Sequence, residues 1–194
     1  IFGDATVFAQ GAASLAGVSR RDAAARVLDD WLRRGDEAIR DINGDFVFAI
    51  HDQAAHRLIV ARDRAGARPL YYAKAEDGWV FASEYKAVLA ALGRKPTVDR
   101  QALAELQARK SVPFGRSLLE GIRSLPSGSI LTLERSGEPK LHRYWDPTLN
   151  LQDWPYERHC TELRESFLRA VDRRLERGRP TAISLSGGVD SSVA

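Results

Sequence analysis

The residues best suited to do chemistry are Ser186-Gly187-Gly188-Val189-Asp190-Ser191-Ser192. Adjacent glycines let the backbone approach an anion without side-chain clash. The segment follows the short apolar run Ala182–Leu185, expected to be a strand, and should open a helix. A strand-to-helix turn converges several amides on one point, and the helix dipole adds positive potential there. Ser186, Ser191 and Ser192 can donate hydroxyl hydrogen bonds to phosphate oxygens. Asp190 suits such a site only if a magnesium ion, or bonds to loop amides, accompany it. This is not a Walker loop, because GxxxxGK[ST] is absent and no lysine follows. The plainer alternative is a tight Gly-Gly turn with a capping Asp; the apolar run before it and the three serines favour phosphate binding.

Little else points to chemistry. The single cysteine, Cys160, allows no internal disulfide and no CxxC metal site. Its plain reading is a small buried apolar residue. The histidines, His51, His56, His142 and His159, lack HxxxH spacing, and zinc needs three or four convergent ligands. Net charge is +3, with basic residues spread out and no basic stripe interleaved with aromatics, so a nucleic-acid role is not expected. No apolar run reaches the ~18–20 residues of a membrane span, and no signal peptide is expected. A cytoplasmic protein is expected. There is no methionine, so residue 1 is not expected to be a translation start; the other end stops as a helix should begin. Both ends are expected to be truncated.

The 194 residues, 44% hydrophobic, suffice for one sizeable core or one core and the start of another. Ser19 and Asp22 resemble a capping box ahead of Val27, Leu28, Trp31 and Leu32, which recur at helical spacing as far as Gly35. Phe46–Ile50 is apolar at every position, predicting a strand buried on both faces, with Arg57–Arg62 as its hairpin partner. Leu70–Ala73 and Trp79–Ala82 form a second hairpin. Ser83 can cap a helix through Leu92, and Asp99 another through Arg109. Ile122–Leu133 holds the turn Pro126-Ser127-Gly128 and then a strand, with Leu141–Tyr144 to follow. Arg62 and Asp63 can pair at a strand end. After Trp145-Asp146-Pro147 comes a linker, then a long helix with Leu163, Phe167, Leu168, Val171 and Leu175 on one face. The other face, Arg164, Arg169, Arg173 and Arg174, reads as solvated. An α+β domain is thus followed by the opening of an α/β domain.

The loop resembles the SGG-x-DS segment of the N-type ATP pyrophosphatases, a group that also includes GMP synthetase, NAD synthetase and tRNA-modifying thiolases. Upstream, Asn43–Ile50 is similar to the "NGDFAFAI" strand of class II glutamine amidotransferases. Ala61–Tyr72 is similar to "ARDRFGVKPLYY", Phe81–Ala87 to "FASELKAL", Leu118–Gly128 to "LFEGIRKLPPG", and Arg143-Tyr144-Trp145 to "RYW". Their order, with the ATP loop next, resembles the asparagine synthetase family over essentially the whole chain. The resemblance implies an N-terminal nucleophile-type sandwich over residues 1–146, a linker over 147–154, and the start of an adenine-nucleotide α-hydrolase-like domain over 155–194. It implies that Leu185, Ser186, Gly187, Gly188, Asp190, Ser191 and Ser192 hold the pyrophosphate of ATP, with Mg2+ near Asp190. It also implies the small-molecule substrates glutamine and aspartate or another carboxylate, and allows a homodimer.

The glutaminase pattern departs from the family. The family's nucleophile is an N-terminal cysteine; residue 1 is Ile and Cys160 lies beside the linker, so no catalytic residue of that reaction falls within these residues. Phe2-Gly3-Asp4 lies where the family has Asn-Gly-Glu, and Phe2 cannot donate to an oxyanion. Gly3 and Asp4 remain candidate glutamine contacts. The family's Ser-Asp pair is interrupted in Ser19-Arg20-Arg21-Asp22, leaving Asp22 as the candidate. The leading reading is a glutamine-hydrolysing asparagine synthetase. The alternative is an amide ligase with a vestigial glutaminase, of the lasso-peptide cyclase or β-lactam synthetase type, using a substrate amine. A non-catalytic scaffold is the third; it has no use for the Ser186–Ser192 loop.

Overall fold

The computed structural model describes residues 5–10, 20–112, 115–134, 137–172, 175, 180, 182 and 184–193. Strand β1 (Ala5–Gln10) is followed by helices α1 (Arg20–Arg34) and α2 (Glu37–Asp41). Strands β2 (Val47–Asp52), β3 (Arg57–Arg62), β4 (Tyr71–Ala75) and β5 (Gly78–Ala82) come next. Helices α3 (Tyr85–Leu92) and α4 (Arg100–Arg109) precede β6 (Ile122–Ser124), β7 (Ser129–Glu134) and β8 (Lys140–Arg143). Helix α5 (Tyr156–Asp172) and the short α6 (Val189–Val193) complete the order.

The strands form two antiparallel sheets. One has the order β1-β2-β3-β7-β8 and the other β5-β4-β6. The uniformly apolar Phe46–Ile50 explains how they stack. Successive side chains of a strand point to opposite faces. Phe46, Phe48 and Ile50 therefore meet Val27, Leu28 and Trp31 of α1 and Ile39 of α2 on one side. Val47 and Ala49 point the other way, toward Leu70, Tyr72 and Leu125 beside the second sheet. Both faces of β2 are thus buried, as its composition predicts. On the outer face of the second sheet, Ala73 and Ile122 pack against Val88 of α3. The layers run helix, sheet, sheet, helix, an α+β sandwich. Phe46 and Phe48 are each at most 2% exposed, with rings 5.2 Å apart; full burial of such a side chain contributes about 1.5–3 kcal/mol.

Local signals set most element ends. Asp99 caps α4, its carboxylate accepting from the Ala102 amide at 3.0 Å, and Arg116 binds the same carboxylate. Gly93 ends α3 in a left-handed conformation. Three expectations differ. Glu84, not Ser83, occupies the N-cap of α3, in an extended conformation and without a side-chain cap bond. The short α2 was not legible, because five residues carry too little periodicity; the Trp31 indole N–H bonding Asp36 at 3.2 Å docks it to α1. The strand expected at Ala182–Leu185 is not formed at the described Ala182, Ser184 and Leu185. A strand needs a paired neighbour, and neither described sheet extends to this segment. Ser19 of the expected capping box lies outside the described residues.

Helix α5 covers the predicted stretch as far as Asp172, stopping short of Leu175, and buries none of its described residues. Leu163 and Leu168 are exposed, as is Cys160, which was expected to be buried. No described helix is long and apolar enough to cross a membrane.

Candidate functional site

The serine–glycine loop closes on itself through its own hydroxyls. The Ser191 hydroxyl accepts from the Ser186 amide at 3.2 Å and lies 3.1 Å from the Ser186 hydroxyl. The Gly188 amide donates to Ser186 Oγ at 3.4 Å. Ser191 and Ser192 hydroxyls both donate to the Gly188 carbonyl, at 3.2 and 2.8 Å. All three serines therefore gather around Gly188, at the start of α6. Gly187 has φ +80°, and the space a side chain would occupy there is open. The first amides of α6 have no partner within the helix, and they lie next to these hydroxyls. Asp190 sits in the first turn of α6 and is exposed, as are Leu185 and Val189. The Ser191 and Ser192 hydroxyl protons are held by the Gly188 carbonyl; turned outward, they would supply with the nearby amides the donor chemistry that phosphate oxygens accept.

The expected glutamine contacts are not brought together in what the structure describes. Gly3 and Asp4 lie outside the described residues. Asp22 is exposed in the first turn of α1.

Arg62 and Asp63 form a densely hydrogen-bonded polar cluster, and they do not do so by pairing with each other. Their expected ion pair is replaced by backbone contacts. Arg62 Nε donates to the Arg68 carbonyl at 2.6 Å, Nη2 to Gly66 at 2.7 Å and Nη1 to Leu125. Burial pulls the Arg62 guanidinium below its ordinary pKa, against the opposing charge of Asp63. The Asp63 carboxylate, 1% exposed, accepts from the Ala67 and Arg68 amides at 3.0 and 3.2 Å. Its carbonyl accepts from Gly66 and Gly128. The reason is geometric: the 62–68 loop offers more orphan amides and carbonyls than one ion pair could satisfy, and buried polar groups must find partners. Sequence reasoning missed Tyr144 as a member of this cluster. Its phenol donates to the Arg62 carbonyl at 2.9 Å, a contact between segments with no shared spacing.

Comparison with known proteins places these features. Residues 18–145 match the glutamine amidotransferase domain family, and residues 162–194 match asparagine synthase. The chain belongs to the asparagine synthetase family. It is 32% identical over 168 residues to asparagine synthetase [glutamine-hydrolyzing] 3 of Bacillus subtilis, covering 86% of this chain and 27% of that protein. It is 34% identical over 158 residues to amidase chry2 of Gibberella zeae, covering 79% of this chain and 23% of that protein. Among solved structures, glutamine phosphoribosylpyrophosphate amidotransferase from B. subtilis complexed with ADP and GMP aligns at TM-score 0.39 and 18% identity, covering 69% of this chain and 21% of that one. The chain thus spans about a quarter of the length of its curated relatives.

Within this family assignment, the sandwich from α1 to β8 lies in the glutamine amidotransferase match, with β1 just before it, and the serine–glycine loop lies in the asparagine synthase match. No cluster of three or more His, Cys, Asp or Glu side chains able to hold a metal occurs among the described residues. Asp190 is the one carboxylate in the loop. That fits Mg2+, which is commonly held by one or two carboxylates together with substrate phosphates, and does not fit a metal caged by protein alone.

Proposed function

We propose that this chain belongs to an ATP-dependent carbon–nitrogen ligase of the asparagine synthase type, and that Ser186–Ser192 is its pyrophosphate grip. The gathering of three serine hydroxyls and first-turn amides around Gly188 carries this reading. In the reaction, a substrate carboxylate attacks the α-phosphorus of ATP, and the bond to the β-phosphate oxygen breaks. Pyrophosphate leaves, and an acyl-adenylate remains. Ammonia then attacks the acyl carbon and AMP departs, leaving an amide.

The loop would hold the departing pyrophosphate. Its hydroxyls, now bonded to one another and to Gly188, exchange those bonds for phosphate oxygens, while the open space over Gly187 admits the anion. Mg2+, held by Asp190 and the phosphates, would neutralise charge on the leaving group. Glutamine, as the ammonia source, and aspartate or another carboxylate, as the acceptor, follow from the family. The family likeness to glutamine-hydrolysing synthetases supports this choice.

A second reading, a ligase that uses a substrate amine and carries a vestigial glutaminase, draws on Phe2 and on the interrupted Ser19–Asp22 pair. The two share the loop and differ in nitrogen source. The common claim is tested by Asp190→Ala in the full-length protein. Pyrophosphate release should be abolished with the fold intact by circular dichroism. A folded variant releasing pyrophosphate at the parent rate makes the loop merely structural.

A further inference from the structure

The chain leaves the sandwich through a tightly specified exit. Tyr144, 5% exposed, is the last buried residue before the linker, and the whole stretch from Trp145 to Asp153 is exposed. Three contacts hold that last point. The Gly128 carbonyl accepts from the amides of both Tyr144, at 2.9 Å, and Trp145, at 3.1 Å. The Tyr144 phenol reaches back to the Arg62 carbonyl. Gly128 itself is tied to Asp63, donating to its carbonyl at 2.8 Å.

No side chain fits at Gly128. A Cβ there would lie 2.6 Å from the Trp145 carbonyl oxygen, a backbone atom that cannot turn aside, and φ is +62°. Arg62 and Asp63 in turn fix three backbone segments, 62–68, Leu125 and Gly128. The hydrogen-bond wealth of this corner exceeds what ending β8 requires, since β8 already pairs with β7 along its length.

We propose that Arg62, Asp63, Gly128 and Tyr144 form a latch that fixes the direction in which the chain leaves the glutamine amidotransferase domain for α5 and the serine–glycine loop. They are positioning residues. The inference rests on the ligase reading, in which both parts serve one reaction. It names no contact with substrate.

The test uses the full-length protein with spin labels at Cys160, exposed on α5, and at a cysteine introduced by Glu76→Cys on the exposed β4–β5 turn. Any cysteine outside these residues is replaced by serine. Pulsed electron–electron double resonance reads the distance between the labels. In the parent the distribution should be narrow. Tyr144→Phe removes only the phenol bond and should broaden it; Gly128→Ala, which must push Trp145 away, should broaden and shift it further. Distributions that superimpose on the parent's in both variants overturn the latch. If Gly128→Ala does not fold, Tyr144→Phe alone decides. AMP release with ammonium in the same preparations separates the claims. A parent that makes no AMP refutes the ligase reading, while the distances still judge the latch. A parent that makes AMP, with unchanged distances in the variants, refutes the latch alone.

Discussion

The Tyr144 hydroxyl donates a 2.9 Å hydrogen bond to the carbonyl of Arg62, 82 positions away in the sequence. The bond joins the end of the last strand of the large sheet to the end of its central one. Burial, reinforced by the charge of Asp63, holds the phenol well above its ordinary pKa. It therefore remains a donor through neutral and mildly alkaline pH. Removing it in Tyr144→Phe leaves the ring in the apolar cluster with Ile130 and Ala61 but deletes one hydrogen bond to the Arg62 carbonyl. The expected loss is about 1 kcal/mol, read as a fall of several degrees in Tm with unchanged circular dichroism. An unchanged Tm would mean that water replaces the phenol.

Asp63 should matter more. It is 1% exposed, and its carboxylate satisfies two backbone amides at once. Asp63→Ala removes both bonds, and a hydrogen bond to a charged group contributes about 1.5–3 kcal/mol. Asp63→Asn keeps one acceptor oxygen and should recover part of the loss. The expected order of stability in urea is parent, then Asn, then Ala. An Asn variant no more stable than Ala would show that the charge, rather than the acceptor count, holds the loop.

Asp52 gives a pH dependence. The Ala55 amide above all, and Arg57 after it, hold its carboxyl below the ordinary range despite partial burial. A carboxyl whose pKa is lower in the folded than in the unfolded chain adds stability above the unfolded value, and that addition is lost as pH falls through the folded value. The Tm gap between parent and Asp52→Asn should be steady above about pH 5 and narrow as pH drops below about 4, near the unfolded carboxyl pKa. A gap that widens in acid would reverse the assignment.

The sandwich was legible because its signals are local. The unbroken apolar run Phe46–Ile50 demanded two buried faces, and β2 has them. Asp99 before Arg100–Arg109 is a cap at the expected place. The polar corner was not legible in its contacts. Arg62 and Asp63 are adjacent and opposite in charge, so pairing was the natural expectation. Nothing in one sequence shows that Leu125, Gly128 and Tyr144 arrive beside them, because those contacts depend on strand order. The serine–glycine loop was legible as a motif; its strand was not realised at the described residues, because a strand also requires a neighbour to pair with.

The nitrogen source is the last expectation, and two effects compete in it. The family likeness is to glutamine-hydrolysing enzymes, but the resemblance of Phe2-Gly3-Asp4 to the family's Asn-Gly-Glu implies Phe2 where an amide donor to the oxyanion is expected. A nucleophile in the full-length protein would begin the attack on glutamine, yet the tetrahedral intermediate would lack one side-chain donor. A missing donor raises that barrier by roughly 3–4 kcal/mol, a rate loss of about two to three orders of magnitude. The nucleophile cannot recover it, because it acts on a different atom of the intermediate. Free ammonium should therefore support amide formation by the full-length protein far better than glutamine does, and Phe2→Asn should raise the glutamine rate while leaving the ammonium rate unchanged. Ligase rates measured with each donor, in parent and variant, check this. Comparable rates from the two donors in the parent would mean that another group serves the oxyanion. A poor glutamine rate that Phe2→Asn does not improve would instead favour the ligase that takes its nitrogen from a substrate amine.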